Sequence, residues 1–125
     1  MLRPVSPTAI DDACAGLRPG LVSVSEIAEM RAQCELGRTL SLGCDDGTVV
    51  VELRPYGETL ELFTHMAVAS RFGAFGRQLP ALLQVARELT ATTVAFQSRR
   101  RGWSRRLGPE WRMRNGNEFW RYVDT

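Results

Sequence analysis

The sequence predicts an α/β fold of the α+β kind: one domain whose mixed, mostly antiparallel sheet of about six or seven strands carries helices on both faces. Three observations predict it. Three β-rich runs between residues 38 and 68 are separated only by tight-turn signals, which makes an antiparallel meander. Next comes an apolar helical stripe, Leu79, Leu82, Leu83, Ala86 and Leu89, and then another β-rich run, as in a crossover connection. Finally, 125 residues suffice for one real core and not for two.

Each element has its own signal. "MLRPVS" reads as a short opening strand closed by Pro7, and "PTAIDDACAGLRPG" as a short helix starting at Pro7 or Thr8 and ended by Pro19-Gly20. Ser23-x-x-Glu26 is a capping box. Ile27, Met30 and Cys34 then repeat at helical spacing until Gly37, which predicts a helix from about Ser25 to Leu36. "RTLSLGCDD" alternates and stops at Asp46-Gly47, "TVVVELRP" stops at Pro55-Tyr56-Gly57, and "ETLELFTHMAV" is the longest strand candidate. The third helix is expected to begin near Gly76, so that Pro80 falls in its first turn, where a missing N–H does no harm. "TTVAFQS" forms the next strand and "GWSRRLG" a short helix or turn. "EWRMRNGNEFWRYV" makes a hairpin about Asn115-Gly116 or Gly116-Asn117. The order is β-α-α-β-β-β-α-β-(α)-β-β, without repeat, linker or low-complexity segment.

Composition narrows the chemistry. No apolar run approaches the ~20 residues of a membrane span. The N-terminus has no apolar leader, and Asp11 and Asp12 argue against a transit peptide, so a cytoplasmic chain is expected. Cys14, Cys34 and Cys44 have no metal-ligand spacing and are expected to be reduced thiols rather than a zinc site or disulfide framework. All sixteen basic residues are arginine, which excludes lysine chemistry of any sort. Eight of them (Arg99, Arg100, Arg101, Arg105, Arg106, Arg112, Arg114 and Arg121) crowd the last quarter against Glu110, Glu118 and Asp124. That segment should be cationic.

The stretch "SRFGAFGRQLPALLQVAREL" leads a glycine-punctuated loop into an apolar helix, the arrangement by which backbone N–H groups are offered to a phosphate. With this loop between the fourth strand and the third helix, the chain resembles the GNAT superfamily of N-acetyltransferases over nearly its whole length. The resemblance implies that the fourth and fifth strands splay apart to hold an acyl-CoA such as acetyl-CoA. Its pyrophosphate would sit on a loop that the family writes Arg/Gln-x-x-Gly-x-Gly/Ala. In this register Arg71, Gly73, Ala74, Gly76 and Arg77 are the implied cofactor-binding residues, and Ala74 replaces the first glycine. Alanine there departs from the pattern, because glycine suits a close phosphate approach or a positive φ. The family commonly uses a glutamate base and a tyrosine acid after the fifth strand. Glu61 and His65, four residues apart on one strand and therefore on one face, are the candidate catalytic residues; "GWSRRLGPEW" contains no tyrosine.

"SRRRGWSRRLGPEW" is similar to a pattern, Arg-x-Gly-Trp-x-Arg-x-Leu, seen in small GNAT-like proteins of tailed bacteriophages; Arg100, Gly102, Trp103, Arg105 and Leu107 stand in those positions. The likeness implies a non-catalytic phage protein, a virion or assembly component in the host bacterium's cytoplasm or in the virion, with no cofactor. Arg99, Arg100, Arg101, Trp103, Arg105 and Arg106 would then meet a protein partner. Three other readings stay open: an acyl-CoA-dependent N-acetyltransferase, a protein that binds and inhibits a host factor, and nucleic-acid binding through phosphate contacts and stacking. The plainest reading of the segment is that Trp103, Trp111 and Phe119 fill the core while the arginines are solvated.

Overall fold

The computed structural model describes residues 2–15, 22–44, 47–69, 74–98 and 103–124. In chain order its elements are β1 (Arg3–Pro4), α1 (Thr8–Ala15), α2 (Val24–Glu35), β2 (Leu40–Cys44), β3 (Gly47–Tyr56), β4 (Thr59–Ala69), α3 (Ala74–Glu88), β5 (Thr93–Gln97), α4 (Trp103–Arg106), β6 (Arg112–Arg114) and β7 (Glu118–Tyr122). They form one seven-stranded sheet in the order β1-β2-β3-β4-β5-β7-β6. Every pair is antiparallel except β4 with β5, which α3 joins as a crossover.

The layers follow from the alternation of β3. Val49, Val50 and Val51 are all buried, the mark of a strand covered on both faces. Val49 and Val51 pack with Leu62 and Val94 against Leu82 and Ala86 of α3. Val50 packs the other way, against Ile10 and Cys14 of α1 with Ile27, Met30 and Cys34 of α2. The helices therefore lie on opposite faces, as the sequence predicts.

Capping chemistry sets the boundaries. The Ser23 hydroxyl accepts the Glu26 N–H at 3.1 Å, and α2 ends at Gly37, whose φ of 76° lets Arg38 donate back to the Gln33 carbonyl. The β6–β7 hairpin turns at Asn115 and Gly116, both at positive φ. One expectation is corrected. α3 starts at Ala74, two residues before Gly76, which leaves Pro80 inside the helix rather than in its first turn. Pro80 has no N–H for the Gly76 carbonyl, and its ring crowds that carbonyl, so the opening of α3 is weakly held by its own backbone.

A second irregularity lies in β4. The register with β3 passes from Val51↔Thr64 to Val50↔Met66, which leaves His65 as an extra residue in a bulge. On an unbroken strand, Leu62 and Met66 would share a face. Instead Leu62 belongs to the α3-side core, while Met66 and Val68 pack toward α1 and α2. The bulge turns the end of β4 over.

Candidate functional site

β4 and β5 run parallel from Glu61↔Thr93 to Thr64↔Phe96, and there the pairing ends. β4 continues to Ala69 bonded only to β3. Its β5-facing N–H and C=O groups beyond Thr64 have no strand partner among the described residues. His65 is both the bulged residue and the first residue past the fork. Above the fork, on the α3 side, an apolar recess is lined by Leu62, Thr64, Leu79, Leu82, Phe96 and Trp111. Leu79 places the second turn of α3 directly over it.

Of the implied cofactor-binding residues, Arg71 and Gly73 lie outside the described residues. Ala74 is the first residue of α3, and it is not among the described residues at positive φ, so alanine meets no backbone penalty there. Gly76 and Arg77 are exposed in the opening turn. Gly76 has no positive φ, and a Cβ added to it would meet nothing within 4 Å. The packing of the fold does not require this glycine.

The two candidate catalytic residues meet very different surroundings. Glu61 is fully buried. Arg114 Nη2 donates to both its oxygens at 2.7 Å, Arg54 donates to Oε2 through Nε at 3.1 Å and Nη2 at 2.9 Å, and the Thr93 hydroxyl donates to Oε1 at 3.1 Å. Glu118 closes the ring, taking Arg114 Nε and, at 3.3 Å, Arg54 Nη2. Burial alone would lower the Arg114 guanidinium; the hydrogen bonds and charges of Glu61 and Glu118 outweigh it and hold the group above its ordinary value. With both oxygens saturated by donors and no solvent access, Glu61 is placed to fasten β3, β4, β5 and β6 together. His65 is half-exposed instead. Its Nε2 lies 2.6 Å from Glu52 Oε1, and its ring sits edge-on to Phe63 with centroids 4.9 Å apart. Glu52 and Arg54 alternate along β3 and so share a face, which puts their partners His65 and Glu61 on that face too.

The arginine-rich segment divides. Arg99, Arg100 and Arg101 lie outside the described residues. Trp103 is half-buried, edge-on to Phe96 at 5.1 Å, with its indole N–H donating to the Ser98 hydroxyl at 2.7 Å. Trp111 and Phe119 complete this cluster about Phe96. Arg105 and Arg106 are exposed on α4. On the opposite face, Arg114 lies over Tyr56 at 4.3 Å, Arg54 over Phe63 at 3.9 Å, and Arg112 over Trp120 and Tyr122 at 5.5 and 6.0 Å. Neither tyrosine is at the fork: Tyr56 lies at the β3–β4 turn, and Tyr122 pairs with Thr93 at the far end of β5.

Glu52, Arg54, Arg114 and Glu118 are functional or structural partners that sequence motifs do not mark. Part of the signal was there: a turn at Gly57-Glu58 fixes the hairpin register so that Arg54 faces Glu61. Arg114 and Glu118 sit about fifty residues farther on, and nothing local points to their partners.

Among the described residues no helix is long and apolar enough to cross a membrane, no group of side chains forms a metal site, and all three cysteines are free thiols. No family model and no curated protein match the sequence. Solved structures match the fold closely. An acetyltransferase of the GNAT family from Listeria monocytogenes superposes with a TM-score of 0.62 at 12% identity, covering 98% of this chain and 94% of that one. An acetyltransferase from Thermus thermophilus gives 0.59 at 16%, covering 98% and 96%. The PaiA N-acetyltransferase of Thermoplasma acidophilum, in complex with coenzyme A, gives 0.55 at 8%, covering 98% of both chains. These matches lend no support to a phage origin. With its forked β4–β5 pair, its crossover helix and its seven strands, the chain has the GNAT acetyltransferase fold.

Proposed function

We propose that the chain is an acyl-CoA-dependent N-acetyltransferase. The observation that carries this reading is a coincidence at one residue: the bulge and the fork both fall at His65, where the parallel pair opens. Among the described residues the fork leaves backbone groups of β4 without a strand partner, ready to bond an extended amide-containing arm. The exposed first turn of α3 offers N–H groups and the positive end of the helix dipole to a pyrophosphate, with Gly76 open to close approach and Arg77 beside it. The acyl group would lie at the recess, and an amine would approach from the face that carries His65. Glu61 is committed to its arginines, which leaves His65 as the base. With no tyrosine at the fork, the departing sulfur takes its proton from water.

Calorimetric titration of the full chain with acetyl-CoA tests the reading. Saturable binding in the micromolar range is expected; no heat at millimolar acetyl-CoA would overturn it.

A second reading is favoured by the locked Glu61 and by the arginine–aromatic face of Arg112, Trp120 and Tyr122: a catalytically silent protein that meets another protein, in a virion, in its assembly or in a host cell. On that reading acetyl-CoA does not bind, and replacing the exposed Arg112 and Tyr122 with alanine weakens the association while unfolding stays cooperative.

A further inference from the structure

We propose that Glu52 and His65 form a proton-accepting pair, in which Glu52 holds the imidazole as its Nε2–H tautomer and leaves the Nδ1 lone pair to take the proton of the acceptor amine. The amine in this statement rests on the acetyltransferase reading. The pair itself does not.

Four observations converge. First, the 2.6 Å separation of Nε2 from Glu52 Oε1 is that of a charge-assisted hydrogen bond, with Nε2–H donating to the carboxylate. Second, Nδ1 has no partner among the described residues. Third, the two side chains are 36% and 34% exposed, enough for a substrate to reach them and for the pair to remain ordered. Fourth, the ring is held edge-on to Phe63, and the Arg54 guanidinium lies over that phenyl at 3.9 Å. The imidazole is thus fixed in orientation as well as in tautomer.

Among the described residues, arginines of the neighbouring elements are engaged with other carboxylates. From β3, Arg54 is bonded to Glu61 and Glu118, so it does not neutralise Glu52. From α1 and α2, Arg31 is bonded to Asp11 and Glu35. Glu52 is therefore the charged group hydrogen-bonded to the ring, and an imidazolium formed on proton uptake would sit against a carboxylate. The transfer balances without further reactants. The amine nitrogen bonds to the acyl carbon, the carbon–sulfur bond breaks with its electron pair on sulfur, and the amine proton passes to Nδ1. Water then protonates the thiolate, and the imidazolium returns its proton to solvent, so that amine and thioester become amide and thiol. His65 is the catalytic residue in this scheme, and Glu52 is a positioning residue.

His65 is the single histidine of the chain, which makes the pair directly observable. In the full chain labelled with ¹⁵N, without acyl-CoA and at a pH where the ring is neutral, Nε2 should show the protonated-type shift and Nδ1 the bare, pyridine-like one. Diethyl pyrocarbonate, which acylates a free imidazole lone pair, should then modify Nδ1. Glu52→Gln, an isosteric change at a half-exposed site, should slow that modification roughly 3- to 10-fold, because a carboxylate bonded to the N–H raises the basicity of the opposite nitrogen. A bare Nε2 in the wild-type protein, or equal modification rates in the two proteins, would overturn the pair. Failure of acetyl-CoA to bind in the calorimeter would instead remove the acetyltransferase reading and leave these two measurements to judge the pair by themselves.

Discussion

Glu61 carries four charge-assisted hydrogen bonds and one from a hydroxyl while fully buried, and its neighbours bear the consequence of losing it. Arg114 is only 15% exposed and Arg54 27%, so Glu61→Gln leaves two poorly solvated guanidinium groups short of a counter-charge. Breaking such a buried arrangement from one side should cost roughly 3 kcal/mol. Urea denaturation of the variant measures this, and a loss below about 1 kcal/mol would mean that solvent reaches the ring of charges. At this scale the sequence marks Glu61 and His65 as noteworthy without distinguishing them. Both are polar residues on one face of one strand. What separates them is Arg114, brought in by a hairpin that begins fifty residues later, and no local pattern encodes that approach.

α3 shows how an element can be legible in outline and misjudged at its end. The stripe from Leu79 to Leu89 predicts the helix, and Leu82 and Ala86 do bury its apolar face. Its start is less legible, since a proline usually marks a first turn, yet here Pro80 lies in the interior. Two substitutions test the ends of this helix. Gly76 is exposed, not at positive φ, and free of neighbours, so Gly76→Ala should raise stability by about 0.5–1 kcal/mol. If a pyrophosphate approaches the same backbone, that variant should also bind acetyl-CoA more weakly in the calorimeter. Equal affinity would show that the close approach occurs elsewhere in the loop. At the other end, Thr90 terminates the helix at φ 59°, a conformation that a β-branched residue adopts only under strain. Thr90→Gly should therefore raise the unfolding free energy by about 1 kcal/mol in thermal or urea denaturation, despite the greater freedom of glycine in the unfolded chain. A destabilised variant would mean that the Thr90 hydroxyl bond to the Leu89 carbonyl outweighs the strain.

Across the whole molecule the two helical layers grip the sheet unequally. α3 packs a broad apolar face on one side, whereas α1 and α2 cover the other through the smaller cluster of Ile10, Cys14 and Val50. Cys14 lies within that thinner layer, 3.8 Å from the Met66 sulfur. Burial, followed by the charge of Asp11, pushes its thiol above the ordinary value of 9.0. The folded state therefore keeps its proton at a pH where the unfolded chain releases it. The associated stability is complete below 9.0 and declines as pH rises through the folded value. Denaturation midpoints between about pH 8 and pH 10 should fall more steeply for the wild type than for Cys14→Ala. Parallel slopes would place the alkaline loss on other groups.

The chain's own pattern determined the number, kind and order of elements, because helical and strand periodicity, capping residues and turn signals act over a few neighbouring residues. It likewise determined the meander, the crossover and the closing hairpin, whose turn the structure then places at Asn115-Gly116. Only the tertiary structure decided that β4 bulges at His65, that the parallel pair parts there, that Glu61 is a clasp, and that Glu52 rather than any marked residue addresses the imidazole. Those outcomes depend on which side chains meet across strands distant in sequence. Register, burial and charge pairing at such meetings are properties of the packed molecule, and Arg114, Glu118 and β5 lie far outside any local window that contains β4.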